Sequence, residues 1–185
     1  MESETLFIQE NLTSYAMFLP PDMDSIKKFR VEFKNSLKQS PFSEQDIYTI
    51  QLACDEALTN SITANIKNHC KETIICRWRV EGIKIIIYIV DYGSGIKTEE
   101  DTGEGKNGEL HSFLQHIVDY QKQNSICLPY SGIERIHKNT GCGLKIIRSL
   151  MDTVKIFYHY QGKVSDTTFN SQTDGSILEL EYCKK

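Results

Sequence analysis

The sequence predicts an α+β fold: a two-layer α/β sandwich with one mixed, mainly antiparallel sheet and helices on one face. Three observations predict it. Ile47, Ile50, Cys54, Leu58 and Ile62 recur at helical spacing and mark one long helix. Two runs rich in β-branched residues, 73–80 and 83–90, meet at Glu81-Gly82 and read as a hairpin. Two more strand-like runs, 154–160 and 177–182, close the chain. With 185 residues the chain is long enough for one domain with a proper core and short for two, so 1–185 reads as a single domain.

The elements follow in order. Residues 15–20 form a short strand, ended by Pro20-Pro21. Asp22 or Asp24 then caps a helix over 25–37, with Ile26, Phe29, Val31 and Phe33 as partial core contacts. Ser43, with Asp46 three residues on, resembles a capping box and opens the long helix, which runs out near Asn68. The second strand of the hairpin ends in the loop Asp91-Tyr92-Gly93-Ser94-Gly95. Segment 97–140 is polar and irregular, with one expected helix over 109–121. A short helix over 144–151 starts just after Gly141-Cys142-Gly143.

Composition removes several function classes. A net charge of -4 points to neither a nucleic-acid backbone nor an anionic membrane as direct partner. Six cysteines are scattered without a C-x-x-C pair or metal-ligand spacing, which favours reduced, non-ligating thiols. The acidic start MESETLFIQE does not read as a signal peptide, and the most apolar run, 83–90, is too short to span a bilayer. A cytoplasmic location is the expectation.

Four groups of residues carry candidate chemistry. Glu56 and Asn60 are four apart on the long helix and project from one face, with Ala53, Ala57 and Ala64 beside them. An amide oxygen suits magnesium, and a carboxylate one turn away can accept a proton; an ordinary polar helix face has the same pattern. Asp55 falls nearer the apolar stripe than Glu56 does. Asp91 at a strand end is an acceptor-only group able to take an exocyclic amine, and Gly93 and Gly95 permit close backbone approach; a plain strand-ending turn fits too. Gly141 and Gly143, before Leu144, open a helix whose free amides can face phosphates, although neither a dinucleotide fingerprint nor a Walker loop is present. Ser176, in Asp174-Gly175-Ser176, can reach back toward Asp91 or a base, or be a turn residue.

The order of these pieces, E-A-x-x-N on a helix, D-x-G-x-G after a strand, G-x-G-L opening a later helix and G-S before a terminal strand, resembles the GHKL (Bergerat-fold) ATPase/kinase superfamily over nearly the whole chain. Within it the chain looks most like the bacterial anti-sigma-factor serine kinases. The resemblance implies that ATP and Mg2+ are bound, with Asn60 holding the metal and Asp91 the adenine amine. Gly93, Gly95 and Ile96 would line the base pocket, and Ser176 would join the same nucleotide site. Gly141, Gly143 and Leu144 would contact the phosphates, Glu56 would be the general base, and about 97–140 would be a long ATP lid. It further implies a serine/threonine kinase in a partner-switching pathway, acting on a STAS-type antagonist or a sigma factor, usually as a homodimer. Such kinases commonly show N-A-x-x-H, whereas here the histidine position is Ala64. A nucleotide-gated regulator-binding protein without kinase activity therefore stands as an alternative, and a detached catalytic module of a histidine kinase, with its acceptor elements on another chain, is a further one.

Overall fold

A computed structural model of the chain describes residues 5–93, 143–167 and 173–185. Two compact units divide the chain, Met1–Ile96 with Ile147–Lys185 and Lys97–Ile146; the fold below is that of the first, and residues 143–146 at the start of its last helix are counted in the second. The expected lid at 97–140 and its helix over 109–121 lie outside the described residues.

The described elements run β1 (Leu6–Gln9), β2 (Ser14–Leu19), α1 (Asp24–Ser36), α2 (Glu44–Lys67), β3 (Ile74–Glu81), β4 (Lys84–Val90), α3 (Gly143–Leu150), β5 (Thr153–Tyr160), β6 (Lys163–Ser165) and β7 (Gly175–Cys183). The strands form one sheet in the order β1-β2-β3-β4-β7-β5-β6. Each pairing is antiparallel, so the α+β sandwich holds and its described sheet is antiparallel throughout. β7, last in sequence, inserts between β4 and β5.

Alternation along the strands sorts the two faces. Met17, Cys76, Ile89 and Leu178 are register partners across β2, β3, β4 and β7, and all are buried. Tyr15, Trp78, Ile87 and Leu180 form the next such row. α1 and α2 supply the second layer with Ile26, Phe29 and Phe33 from one helix and Ile47, Ile50, Cys54, Leu58 and Ile62 from the other, all buried. Trp78 is the hub, with Phe29 edge-on at 5.6 Å and Phe33 tilted at 5.4 Å. Its indole N–H donates to Ser36 Oγ at 3.0 Å, satisfying the one polar atom the ring carries inside. The opposite face is charged, with Lys155 Nζ 2.7 Å from Glu179 and Lys84 Nζ 2.8 Å from Glu181.

Local signals account for the helix boundaries. The capping box at α2 is complete: Asp46 N donates to Ser43 Oγ, and Ser43 N donates to Asp46 Oδ2. At α1 the N-cap residue is Met23, which makes no side-chain cap, while Asp22 Oδ1 accepts from Ser25 N at 2.9 Å. Asp22 therefore does the capping work from one residue further out, and Asp24 pairs with Lys27 at 2.8 Å instead.

Three differences from the sequence reading have physical causes. Val31 is exposed rather than a core contact, because it lies off the Ile26–Phe29–Phe33 face of α1. β1 was not expected: it has four residues, mostly exposed, and registers only against β2. β6, three residues long, is too short to show a period and pairs back on β5 across Gln161-Gly162. Cys54 and Cys76 are free thiols in the core, and burial pushes both well above the usual thiol range. No described helix is long and apolar enough to cross a membrane.

Candidate functional site

The site assembles where the end of β4, the start of β7 and the second half of α2 meet. Asp91 follows β4 directly and continues its alternation, so its side chain points to the same face as Ile89, toward the helices. Only 4% exposed, its carboxylate is surrounded by donors. Ser176 Oγ donates to Oδ2 at 2.7 Å and Ser61 Oγ to the same oxygen at 3.2 Å. Gly93 N and Ser176 N donate to Oδ1 at 3.0 and 3.2 Å. Four donors offset the cost of burying the charge and fix the carboxylate's plane.

Three α2 residues at i, i+3 and i+4 hold the turn 91–93 from the helix side. Ser61 makes the bond just described. Ala64 meets Gly93 so closely that a Cβ on Gly93 would stand 2.5 Å from the Ala64 Cβ. Asn65, fully buried, accepts from Tyr92 N at 3.0 Å and donates to Glu72 O at 3.0 Å, tying the turn to the segment that leads into β3. The alanine at 64 thus has a packing reason: it is the surface against which the glycine turn closes.

The turn is also held from β5. His159 Nε2 is 2.7 Å from the Asp91 carbonyl oxygen, and the His159 ring meets Tyr92 edge-on at 5.1 Å. Gly175, the register partner of His159, leaves the room for this: a Cβ there would lie 1.8 Å from Asp91 O.

Among the residues expected from sequence, the structure brings Asp91, Gly93 and Ser176 together. Glu56 and Asn60 stand on α2 ahead of Ser61, Glu56 at 3% exposure and Asn60 exposed. Asp55, one residue before Glu56, faces the other helix. Its carboxylate accepts from Arg30 Nε at 3.0 and 2.8 Å and pairs with Arg30 Nη2 at 2.8 Å, clamping α1 to α2. That pairing explains why Asp55 lies nearer the apolar stripe. Gly143 and Leu144 form the first residues of α3. Gly95, Ile96 and Gly141 lie outside the described residues.

Sequence reasoning missed Ser61, Asn65 and His159. A signal existed for the first two, since short polar residues four apart on a helix flank Ala64. None existed for His159, whose role depends on strand order.

Burial pushes the Asp55 carboxyl up to about 6 from 3.8, against the opposing pull of Arg30. A carboxyl that holds its proton more tightly when folded stabilises most below its unfolded value, and the gain is lost as pH rises through its folded value. Relative to an Asp55→Asn variant, wild-type stability is expected to fall between about pH 4 and pH 6 and then level off. Denaturant unfolding of both proteins across that window checks it; a difference that grows with pH would overturn it.

The sequence model of the family described as histidine kinase-like ATPase domain matches residues 19–168. A search of curated proteins found no match. The matched span contains α1, α2, the hairpin β3–β4, the Asp91 turn and the whole of α3.

Proposed function

Because the chain belongs to the histidine kinase-like ATPase domain family, we propose that it is a cytoplasmic ATP-binding regulator that transfers phosphate to a serine or threonine of a partner protein. The observation that carries the nucleotide half is the Asp91 carboxylate, buried, acceptor-only and flanked by two serine hydroxyls. Adenine presents an amine beside an unprotonated ring nitrogen. A carboxylate beside a hydroxyl is the complement, since the hydroxyl can turn to donate to the ring. Guanine presents a carbonyl at the same edge, which would face the carboxylate, so the donor set fits adenine over guanine. Gly93, lacking a side chain, lets the turn that carries Asp91 close down on Ala64.

For the phosphate half, Asn60 is the exposed amide that would hold Mg2+, and Glu56 the base that would take the hydroxyl proton. Bound Mg2+ supplies charge neutralisation on the phosphates. Gly95, Ile96, Gly141, Gly143 and Leu144 complete the proposed nucleotide contacts. A partner-switching role, with a STAS-type antagonist or a sigma factor as partner and a homodimer as the working form, is supported by the motif order, with 97–140 as the lid.

Labelled ATP, Mg2+ and a STAS-type antagonist test the kinase directly. Glu56→Ala is expected to keep ATP affinity while transfer falls about a hundredfold or more; Asn60→Ala should lose the magnesium-dependent part of binding, read by calorimetry. Unchanged transfer in Glu56→Ala would sink its role as base. Position 64 favours a second reading. An alanine spent on packing against Gly93 brings no side-chain chemistry, which suits a nucleotide-gated binder that holds its partner without modifying it. A tight, unlabelled complex with the partner would support that reading over the kinase.

A further inference from the structure

We infer that His159 is a positioning residue for the base-binding carboxylate, acting on it from the opposite face of the sheet. The inference rests on the reading of Asp91 as acceptor of the adenine amine.

β5 alternates, so Tyr158, buried and paired with Ser176, shares the helix-covered face with the Asp91 carboxylate, and His159 points to the other. A side chain on that face normally has no access to a residue whose functional group lies beneath the sheet. Here it does, because its register partner is Gly175. The space a Cβ would fill at Gly175 is taken by Asp91 O at 1.8 Å and by His159 Nε2 at 2.6 Å. Through that gap Nε2 meets the carbonyl oxygen at 2.7 Å. A carbonyl oxygen only accepts, so Nε2 carries the hydrogen and donates it.

The effect on Asp91 follows from where its main chain is held. Its N–H donates to Ser176 O at 2.9 Å, which fixes the peptide before it. Its C=O accepts from His159, which fixes the peptide after it. The Tyr92 ring packs edge-on against the same imidazole, and Tyr92 N is anchored to Asn65. With both flanking peptides pinned, the Cα–Cβ bond of Asp91 has one direction, and the carboxylate is presented in one place. Without the imidazole, the peptide after Asp91 keeps only the Asn65 anchor, on the helix side. The carboxylate then rests on its own four donors alone, two of them hydroxyls that can turn, and its aim toward the amine loosens. The interaction specific to the amine is lost first, and interactions with sugar and phosphates are untouched.

The test compares ATP with purine riboside triphosphate, which lacks the amine, by calorimetry in the presence of Mg2+. Wild type is expected to prefer ATP. His159→Phe keeps a ring of similar size and removes the donor; ATP affinity should fall about tenfold while affinity for the amine-free nucleotide stays, erasing the preference. His159→Gln places an amide N–H where Nε2 stood and should restore it. His159→Asn, polar but one methylene shorter, should behave as His159→Phe and serves if the aromatic variant fails to fold. Equal loss for both nucleotides, or a preference unchanged in both His159→Phe and His159→Asn, overturns the positioning role. A wild type that binds both nucleotides equally instead overturns the reading of Asp91 as the amine acceptor, whatever the variants do.

Discussion

An Asp91→Ala protein is expected to bind no ATP measurable by calorimetry and to be less stable by about 3–5 kcal/mol. Both losses have one origin. The carboxylate is the common acceptor for Ser61 Oγ, Ser176 Oγ, Ser176 N and Gly93 N. The hydroxyls can turn to other acceptors, but the two backbone N–H groups cannot, and buried donors left unpaired cost their full desolvation. Asp91→Asn separates function from fold. Its amide oxygen can still serve Gly93 N and Ser176 N, while an NH2 replaces the oxygen that accepts from the serines. The stability loss should shrink to about 1 kcal/mol. ATP affinity should still fall by about a hundredfold, because the amide NH2 and the adenine amine are both donors. Denaturant unfolding and calorimetry on the two variants check this pair of numbers. Wild-type ATP affinity in Asp91→Asn would remove the carboxylate from the nucleotide site.

A Gly175→Ala protein should show the largest stability loss for the smallest change in side chain. The added carbon would stand 1.8 Å from Asp91 O and 2.6 Å from both Asp91 C and His159 Nε2. Two of those atoms belong to backbone, so no rotamer change relieves the clash. Either the start of β7 or the turn after β4 must move, and the carboxylate moves with it. Overpacking of this kind costs about 3 kcal/mol or more when the neighbours cannot give way. Stability and ATP affinity should therefore fall together. Gly82→Ala is the control: at φ +60 it is strained, but its Cβ meets nothing within 4 Å. That variant should lose only about 1 kcal/mol and keep its nucleotide affinity. If Gly175→Ala proves no less stable than Gly82→Ala, the close approach at β7 is not what the geometry implies.

What could be read from the chain before folding was whatever a short window encodes. The capping box at Ser43, the apolar stripe of α2, the β3–β4 hairpin and the helix after Gly143 each depend on residues a few positions apart. Asp91, Gly93 and Ser176 also stood out, because strand ends and turns have their own residue preferences. The short outer strands were not legible: β1 and β6 have four and three residues and gain their structure by pairing with β2 and β5.

The union of the site was a tertiary decision. Ser176 reaches Asp91 across 85 positions and His159 across 68, and both contacts exist only because β7 inserts between β4 and β5. The same event turned Gly175 from a turn residue into a window through the sheet, and Ala64 from a missing histidine into the surface on which Gly93 rests. Sequence set which groups were available, through local periodicity and turn chemistry. Strand order set which of them touch, because contacts between distant segments depend on the packing of the whole sheet, and no local window contains that information.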